Sequence, residues 1–207
     1  RVIFVARAGV YLGWIGLQDQ VRPGAAQALL ELRELGIKRV AMITGDRKAV
    51  ATAVAESIGC REFEAECLPA QKVAFVNRVK QEGYRVAFVG DGVNDAPALA
   101  AGDTGIAMGA AGSDVAIHSA SVALMNSDLL RLPFLIRLSR MARTVVFQNI
   151  AVGGLFIIGG LIFSGLGKLN PIVATLLHNA GSLIVVFNSA RLIRSGEELE
   201  KPPTAKD

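Results

Sequence analysis

The sequence has few of the residues that build disulfide frameworks and zinc sites. It contains two cysteines, Cys60 and Cys67, and two histidines among 207 residues. The cysteines form no CxxC pair, so neither a disulfide framework nor a structural zinc site is favoured. We therefore expect both thiols to be reduced and to serve packing.

Charged residues are absent from two long stretches, 144–167 and 169–190. Each is about as long as a helix that crosses roughly 30 Å of hydrocarbon. Hydrophobic residues make up 52% of the chain and the mean hydropathy is +0.43, which is high for a water-soluble protein. The pattern predicts a transmembrane hairpin over 144–194 in a lipid bilayer, with a pair of buried core helices as the alternative.

The net charge of +4 does not indicate nucleic-acid binding, because arginines are concentrated beside the apolar stretches. These arginines are Arg131, Arg137, Arg140, Arg143, Arg191 and Arg194. The connection between the stretches, 166–170, carries only Lys168 as a charged residue. By the positive-inside tendency, we expect a multi-pass protein of the cell membrane whose soluble part and C-terminus lie in the cytoplasm.

Strand and helix patterns alternate ahead of the apolar stretches. The expected strands are 39–43, 85–89, 105–108 and 121–124, and the expected helices are 25–35, 48–58, 70–82 and 96–101. Alternation of this kind predicts an α/β domain with a parallel sheet and flanking helices. Two apolar runs before it, 2–6 and 10–17, predict a strand pair.

Two further segments flank the predicted hairpin. Residues 129–143 form a basic amphipathic pattern that runs straight into the first apolar stretch, so we expect either a rigid stalk helix or an interfacial anchor. The polar tail 195–207 contains Pro202 and Pro203, and we expect it to be disordered.

A possible cation site follows the apolar run that ends at Gly90. Asp91 and Asp95 stand on opposite arms of one turn, with Asn94 between them. Carboxylates at the end of a parallel strand can converge on Mg²⁺, which prefers hard oxygen ligands shared with a phosphate. The alternative is an Asp-Gly turn followed by a helix cap made by Asp95.

Two other motifs fit a phosphoryl group. Thr44-Gly45-Asp46 follows one strand and precedes a helix, so its hydroxyl and backbone N–H groups could face the same sheet edge as Asp91, although Asp46 could instead cap the helix. Lys72 lies in the first turn of a helix, where the macrodipole disfavours a cation, so an anionic partner would explain it. A solvated surface lysine is the alternative.

One part of a phosphoryl-transfer site is missing from this set. A site with a hydroxyl, a lysine and a metal-binding carboxylate pair commonly serves a phosphorylated aspartate. No early strand of the sequence ends in an aspartate suited to that role.

These motifs resemble those of the P-type ATPases. The matching residues are Thr44-Gly-Asp46, Pro69-Ala-Gln-Lys72, Gly90-Asp-Gly-Val-Asn-Asp-Ala-Pro-Ala-Leu99 and Gly105-Ile-Ala-Met-Gly109. The resemblance implies a haloacid-dehalogenase-like fold with ATP as substrate and Mg²⁺ as cofactor. It makes Thr44, Gly45, Asp46 and Lys72 phosphate-binding or catalytic residues. It also makes Asp91 a Mg²⁺ ligand, with Asn94 and Asp95 supporting the phosphate and metal.

Two membrane segments after such a domain resemble the heavy-metal transporting branch. That branch's Asp-Lys-Thr-Gly-Thr, Thr-Gly-Glu and Cys-Pro motifs are absent from the sequence. Because the first residue is Arg and no signal peptide is present, we expect a C-terminal piece of a longer pump that is inactive alone. Its partners would be the actuator and nucleotide-binding domains and the upstream helices. A phosphatase of the same fold and a non-catalytic membrane remnant or regulator are the alternatives.

His178 is a polar side chain inside the second apolar stretch, with Ser182 one helical turn away. Polar groups at that depth are costly and usually functional, and imidazole suits zinc, cobalt, copper and nickel. The segment His178-Asn-Ala-Gly-Ser182 resembles the branch's last-helix ion motif, with Asn179 where some members have Glu. Gln148 and Asn149 could line the same path or only pack near the interface. A histidine bonded to a neighbouring helix is the alternative for His178.

These expectations give five segments. Residues 1–18 would end the nucleotide-binding domain and form the hinge strands, and 19–128 would be the phosphorylation domain. The stalk helix at 129–143, the transmembrane hairpin at 144–194 and the tail at 195–207 would follow.

Overall fold

The computed structural model describes residues 2–16, 21–91, 94–109 and 114–200. The chain divides into two compact units, Arg1–Leu130 and Arg131–Asp207. Residues 17 and 18, at the end of the expected hinge strands, and Gly92 and Val93 of the expected cation turn lie outside the described residues.

The first unit opens with an antiparallel hairpin of β1 (Val2–Arg7) and β2 (Val10–Gly16). Ala8 and Gly9 make the turn with positive φ angles of 50° and 81°. Apolar side chains are exposed on this hairpin, as the 73% exposure of Phe4 and the 64% exposure of Trp14 show. The expected strand pair is therefore present, and its side chains contribute little to a core.

Five short strands and five helices follow among the described residues of the first unit. The strands are β3 (Ala41–Ile43), β4 (Glu62–Glu64), β5 (Ala87–Gly90), β6 (Thr104–Met108) and β7 (Val122–Leu124). The helices are α1 (Ala25–Glu34), α2 (Lys48–Ile58), α3 (Pro69–Gln81), α4 (Ala96–Ala101) and α5 (Asp114–Ser119). The sequence pattern predicted neither β4 nor α5. β4 reads Glu-Phe-Glu, which is too short and too polar to give an apolar strand signal.

All pairing among these five strands is parallel. β3 pairs with β4, while β5, β6 and β7 form a second sheet in that order. Within the described part of the chain, β3 and β5 each have one neighbouring strand, so each has one unpaired edge. Parallel strands with helical connections agree with the predicted α/β domain.

The core of the first unit lies between the second sheet and helices α3 and α4. Val76, Phe88, Ala98, Leu99 and Ala107 are buried together, and Ile43 of β3 packs against them. Gly105 is required by this packing, since an added Cβ there would lie 2.5 Å from the backbone oxygen of Leu99. The helix α4 therefore sits directly on β6, and its N-terminus follows the end of β5.

The second unit consists of two long helices, α6 (Arg131–Gly165) and α7 (Pro171–Glu200). Both are long and apolar enough to cross a membrane. Residues 131–143 of the predicted stalk segment form one uninterrupted helix with the first apolar stretch, while residues 129 and 130 form a turn before it. Pro133 does not break it because it lies in the first turn, where its missing N–H has no partner within the helix.

The helices are joined by a short, well-defined connection. Gly167 adopts a φ of 68° after α6, and the N–H of Lys168 donates to the oxygen of Phe163, which closes the helix. Asn170 Oδ1 accepts the N–H of Ile172 at 3.0 Å, and Pro171 is the first residue of α7. The expected connection at 166–170 is therefore present.

The last helix is longer than the sequence pattern indicated. α7 continues to Glu200, whereas a disordered tail was expected from residue 195. Residues 196–200 contain three glutamates and a leucine, which are good helix formers, and Pro202 and Pro203 follow them. Residues 201–207 lie outside the described part of the chain.

Candidate functional sites

The Thr44-Gly45-Asp46 loop follows β3 and leads into α2. The Thr44 hydroxyl donates to Asp46 Oδ2 at 2.9 Å and accepts the N–H of Asp46 at 3.1 Å. The N-cap of α2 is Arg47, and it makes no side-chain capping bond. Asp46 is therefore not the N-cap residue of α2, and its carboxylate accepts a hydrogen bond from the Thr44 hydroxyl.

The segment after β4 holds this loop in place. The N–H of Thr44 donates to Glu64 O at 2.9 Å, and the N–H of Cys67 donates to Thr44 O at 3.0 Å. A third bond joins the N–H of Glu66 to Asp46 O at 2.9 Å. Because sequence reasoning missed β4, it also missed this support.

Lys72 and Asp95 form an ion pair between α3 and α4. Lys72 Nζ lies 2.5 Å from Asp95 Oδ1, and each side chain is 15% exposed. Asp95 occupies the N-cap position of α4 but makes no side-chain capping bond. The predicted anionic partner of Lys72 is therefore a carboxylate of the chain itself, and the alternatives of a solvated lysine and a capping Asp95 are both wrong.

Gly90 makes room for this carboxylate. A Cβ at position 90 would lie 2.7 Å from Asp95 Oδ2 and 2.8 Å from Asp95 Cβ. The side chain of Asp95 thus lies directly against the backbone at the end of β5. This contact places Asp95 at the strand end from which Asp91 follows.

Asp91 and Asn94 are both exposed, at the carboxyl end of β5 and ahead of α4. Among the described residues, no three His, Cys, Asp or Glu side chains cluster as a metal site would require. The donors that are present, carboxylates beside an amide, have the hard oxygen chemistry that Mg²⁺ prefers. Asp91 and Asp95 therefore suit part of a Mg²⁺ site, and a complete site needs further oxygen ligands.

The sequence-predicted residues fall into two bonded groups in the first unit. Thr44 and Asp46 bond to one another after β3, and Lys72 bonds to Asp95 after β5. Ile43, which directly precedes Thr44, packs against the cluster that contains Phe88 of β5, so both groups border the same core.

Charged side chains also make bonds near the N-terminal ends of the parallel strands. Arg39 donates to Glu62 through Nε at 2.8 Å and through Nη2 at 2.7 Å, and it also bonds Glu82. The hydrogen bonds from Arg39 lower the pKa of Glu62 below its usual range. The N–H of Val86 donates to Asp103 Oδ2 at 2.9 Å, and this bond lowers the pKa of Asp103.

The two cysteines are free, as the sequence predicted, and they pack near the first sheet. Cys60 is buried, and its thiol donates to Glu62 O at 3.2 Å. Burial raises the pKa of Cys67, and the nearby Glu64 carboxylate adds to that effect.

His178 and Ser182 both line a cavity of about 550 Å³ between α6 and α7. Gly153 and Gly160 of α6 line its other wall. An added Cβ on Gly181 would lie 3.0 Å from the ring of Phe156, so the two helices approach closely there. Asn179 is not among the residues that line this cavity.

Gln148 and Asn149 make interhelical bonds and do not line the cavity. Asn149 Nδ2 donates to Ser189 Oγ at 2.9 Å, and Asn188 Nδ2 donates to Asn149 Oδ1 at 2.9 Å and to Gln148 Oε1 at 3.2 Å. Of the two hypotheses for Gln148 and Asn149, these contacts favour helix packing.

The chain is similar to known proteins over most of its length. A family model described as a haloacid dehalogenase-like hydrolase matches residues 1–103. The manganese-exporting P-type ATPase of Mycobacterium tuberculosis is 48% identical over 192 residues, which are 93% of this chain and 27% of the relative. The zinc-exporting P-type ATPase of Mycobacterium marinum is 47% identical over 93% of this chain and 26% of the relative. The chain thus spans about a quarter of the length of these relatives.

A solved structure extends the likeness to the fold. The crystal structure of a zinc-transporting PIB-type ATPase in the E2.Pi state matches with a TM-score of 0.77 and 39% identity, over 92% of this chain and 31% of that chain. The predicted haloacid-dehalogenase-like fold with two long apolar helices after it is therefore confirmed. By sequence and by fold, the chain is homologous to part of the heavy-metal P-type ATPases.

Proposed function

We propose that the chain is part of an ATP-driven transition-metal pump of the cell membrane that works through an aspartyl phosphate. The observation that carries this proposal is the Lys72–Asp95 pair at the end of β5, which borders the same core as the Thr44 loop. A lysine held on a carboxylate beside a hydroxyl loop can stabilise a phosphoryl group in transfer. The pair lies at the carboxyl end of a parallel strand, and α/β sheets bind ligands at that edge.

In this proposal Thr44 and the backbone N–H groups after it donate to the phosphoryl oxygens of ATP. Lys72 supplies positive charge, and Asn94 with Asp95 supports the group from the α4 side. Mg²⁺, bound by Asp91 and Asp95, would neutralise charge on the phosphate oxygens. In this structure the single hydroxyl proton of Thr44 is donated to Asp46 Oδ2 at 2.9 Å, so the hydroxyl would turn from Asp46 to the phosphate when ATP binds.

The nucleophilic aspartate would come from a further strand. β3 and β5 each have one unpaired edge within the described residues, and Ile43 of β3 contacts the cluster of Phe88 of β5. A parallel strand added between them would join the two short sheets and end beside Thr44 and Asp91. We propose that the rest of the pump, with its actuator and nucleotide-binding domains and its other helices, supplies this strand.

The transported ion would bind near His178 and Ser182, in the cavity between α6 and α7. Neutral imidazole is a ligand for borderline cations such as zinc, cobalt, copper and nickel. Relatives named for manganese and for zinc are almost equally similar to the chain, at 48% and 47% identity. Similarity to these relatives therefore does not distinguish manganese from zinc, and the side chains of the ion site would determine which metal binds. The soluble part and both outer ends of the hairpin would lie in the cytoplasm.

The phosphoryl site is tested with Asp91→Asn in the longer pump that contains this chain. We expect metal-dependent ATP turnover to fall at least about a hundredfold, because an anionic oxygen at the Mg²⁺ site is lost. Asp128→Asn is the control, since Asp128 is exposed and its Oδ1 accepts the N–H of Leu130, which an amide oxygen can also do. Turnover by Asp91→Asn near the level of the control would reject the assignment.

The ion site is tested with His178→Ala across Mn²⁺, Zn²⁺, Co²⁺, Cu⁺ and Ni²⁺. We expect the half-saturating concentration of the transported metal to rise, while phosphorylation by inorganic phosphate in the reverse direction is retained. Thr175→Ala is the matched control on the same helix, because the Thr175 hydroxyl bonds only within α7, to Pro171 O. An unchanged half-saturation for every metal would remove His178 from the transport path.

A further inference from the structure

Four polar side chains join α6 to α7 beyond one end of the His178 cavity. We call Gln148, Asn149, Asn188 and Ser189 the amide clamp. Its members exchange three interhelical hydrogen bonds of 2.9, 2.9 and 3.2 Å. Arg191 Nη2 adds a bond to Gln148 Oε1 at 3.3 Å.

The clamp and the cavity share one helical face. On α7, residues 178, 182, 185 and 189 follow the spacing of four, three and four that keeps side chains on one side of a helix. On α6, residues 149, 153, 156 and 160 repeat the same spacing. His178, Ser182 and Val185 line the cavity with Gly153, Phe156 and Gly160, and Asn149 and Ser189 bond each other one turn further along.

A direct bond links the clamp to the cavity wall. Ser189 Oγ donates to the backbone oxygen of Val185 at 2.8 Å, and Val185 lines the cavity. The same hydroxyl accepts Asn149 Nδ2 from the other helix. Ser189 therefore connects the part of α7 that lines the cavity to α6 by hydrogen bonds.

The rest of the interface between α6 and α7 is packed closely around small residues. Its contacts involve glycines, with Gly153 and Gly160 on α6 and Gly181 against the ring of Phe156 on α7. Between helices in hydrocarbon, close van der Waals packing and interhelical hydrogen bonds both contribute to association. Asn149 and Asn188 pair through amides that must face each other, and this fixes both rotation and register.

We propose that the amide clamp positions His178: it holds α7 in the one rotation and register on α6 that places the imidazole in the cavity. The inference rests on the proposed role of His178 in binding the transported ion. The clamp residues do not touch that ion; they act through the geometry of α7. The clamp therefore sets the metal affinity and leaves the phosphoryl-transfer site unchanged.

The first arm of the test measures register without any metal. Phe156→Cys and Gly181→Cys are introduced into the full chain with Cys60→Ala and Cys67→Ala, because a Cβ at 181 lies 3.0 Å from the ring carbon attached to Phe156 Cβ. Cleavage after Lys168 separates the helices, so only a disulfide keeps the two peptides together on a non-reducing gel. We expect Asn149→Ala with Asn188→Ala to slow disulfide formation about three- to tenfold.

The second arm measures metal-stimulated ATPase activity in the longer pump. The same double substitution should raise the half-saturating metal concentration about three- to tenfold with little change in the maximal rate. Ser189→Ala should act in the same direction, and Ser189→Thr, which keeps the hydroxyl, should restore the wild-type value. Thr144→Ala is the control, because Thr144 is on α6 one turn from Gln148 and bonds only to Arg140 O of its own helix.

The outcomes separate the clamp from its alternatives. Unchanged disulfide formation in the double variant, or an equal loss in Thr144→Ala, overturns the proposal. A raised half-saturation with unchanged disulfide formation also overturns it, since the clamp oxygens would then be ion ligands. If His178→Ala leaves the metal dependence unchanged, the proposed ion site fails, while the disulfide arm still decides whether the clamp sets the register.

Discussion

Lys72 Nζ and Asp95 Oδ1 lie 2.5 Å apart, and each side chain is only 15% exposed. The lysine comes from the first turn of α3 and the aspartate from the N-cap position of α4. Both positions oppose the usual preferences, because a helix N-terminus disfavours a cation and an N-cap aspartate normally bonds its own helix. The two residues therefore stabilise their own helices less than usual residues would at these positions, and they place an ion pair at the end of β5 instead.

A double-mutant cycle tests whether the two charges depend on each other. Lys72→Met leaves the Asp95 carboxylate largely buried without its partner, and we expect it to lower the free energy of unfolding by about 2 kcal/mol. Lys72→Met with Asp95→Asn should recover much of that loss, because no buried charge remains. The free energies of unfolding of the wild type, Lys72→Met, Asp95→Asn and the double variant are measured by chemical denaturation in detergent. Strictly additive losses would contradict the coupling between the two charges.

Gly90→Ala should disturb the same pair from the backbone side. The new Cβ would lie 2.7 Å from Asp95 Oδ2, so the carboxylate must move away from Lys72. We expect a loss of about 1–3 kcal/mol in unfolding free energy. Gly45→Ala is the comparison, since its Cβ would meet only Cys67 O at an ordinary 3.4 Å. Equal stability losses in the two variants would refute the steric argument.

The Arg39–Glu62 pair predicts how stability responds to acid. Hydrogen bonds from Arg39 lower the pKa of Glu62 below the ordinary value of a glutamate side chain. A group whose pKa is lower in the folded state contributes stability above its unfolded pKa, and this contribution is lost as the pH falls toward the folded pKa. Glu62→Gln should therefore cost about 1 kcal/mol at pH 7 and progressively less below about pH 4.5.

The measurement is the free energy of unfolding of the wild type and Glu62→Gln between pH 7 and pH 3. Glu56→Gln is the control, because Glu56 is an exposed residue of α2. A difference between wild type and Glu62→Gln that stays constant down to pH 3 would show that the carboxylate charge is not what Arg39 stabilises.

Apolar periodicity and turn residues predicted most of the elements that position the site. The expected bounds of α2 and α4 match those observed, and Thr44, Asp91 and Lys72 occupy the predicted strand ends and helix turn. These elements were predictable because each buries an apolar face of its own, which leaves a clear pattern in a single segment.

The contacts between segments were not predictable in this way. β4 is held by pairing to β3 and by Arg39 on Glu62, neither of which leaves an apolar repeat. The partner of Lys72 lies 23 positions away on another helix, and nothing in either segment alone names it. The amide clamp likewise joins residues about forty positions apart, so that its polar residues look like scattered interruptions of apolar helices.

The last prediction concerns the chain alone, which we expect not to form an acyl phosphate. Among the carboxylates assigned to the proposed site, Asp46 accepts the Thr44 hydroxyl, Asp95 is paired with Lys72, and Asp91 is assigned to Mg²⁺, so none of the three is proposed to attack phosphorus. The chain in detergent is incubated with labelled ATP and Mg²⁺ and separated on an acidic gel, with the longer pump as the positive control. A labelled band that hydroxylamine removes would contradict the expectation. Loss of that band in Asp46→Asn but not in Asp95→Asn would then identify Asp46 as the nucleophile.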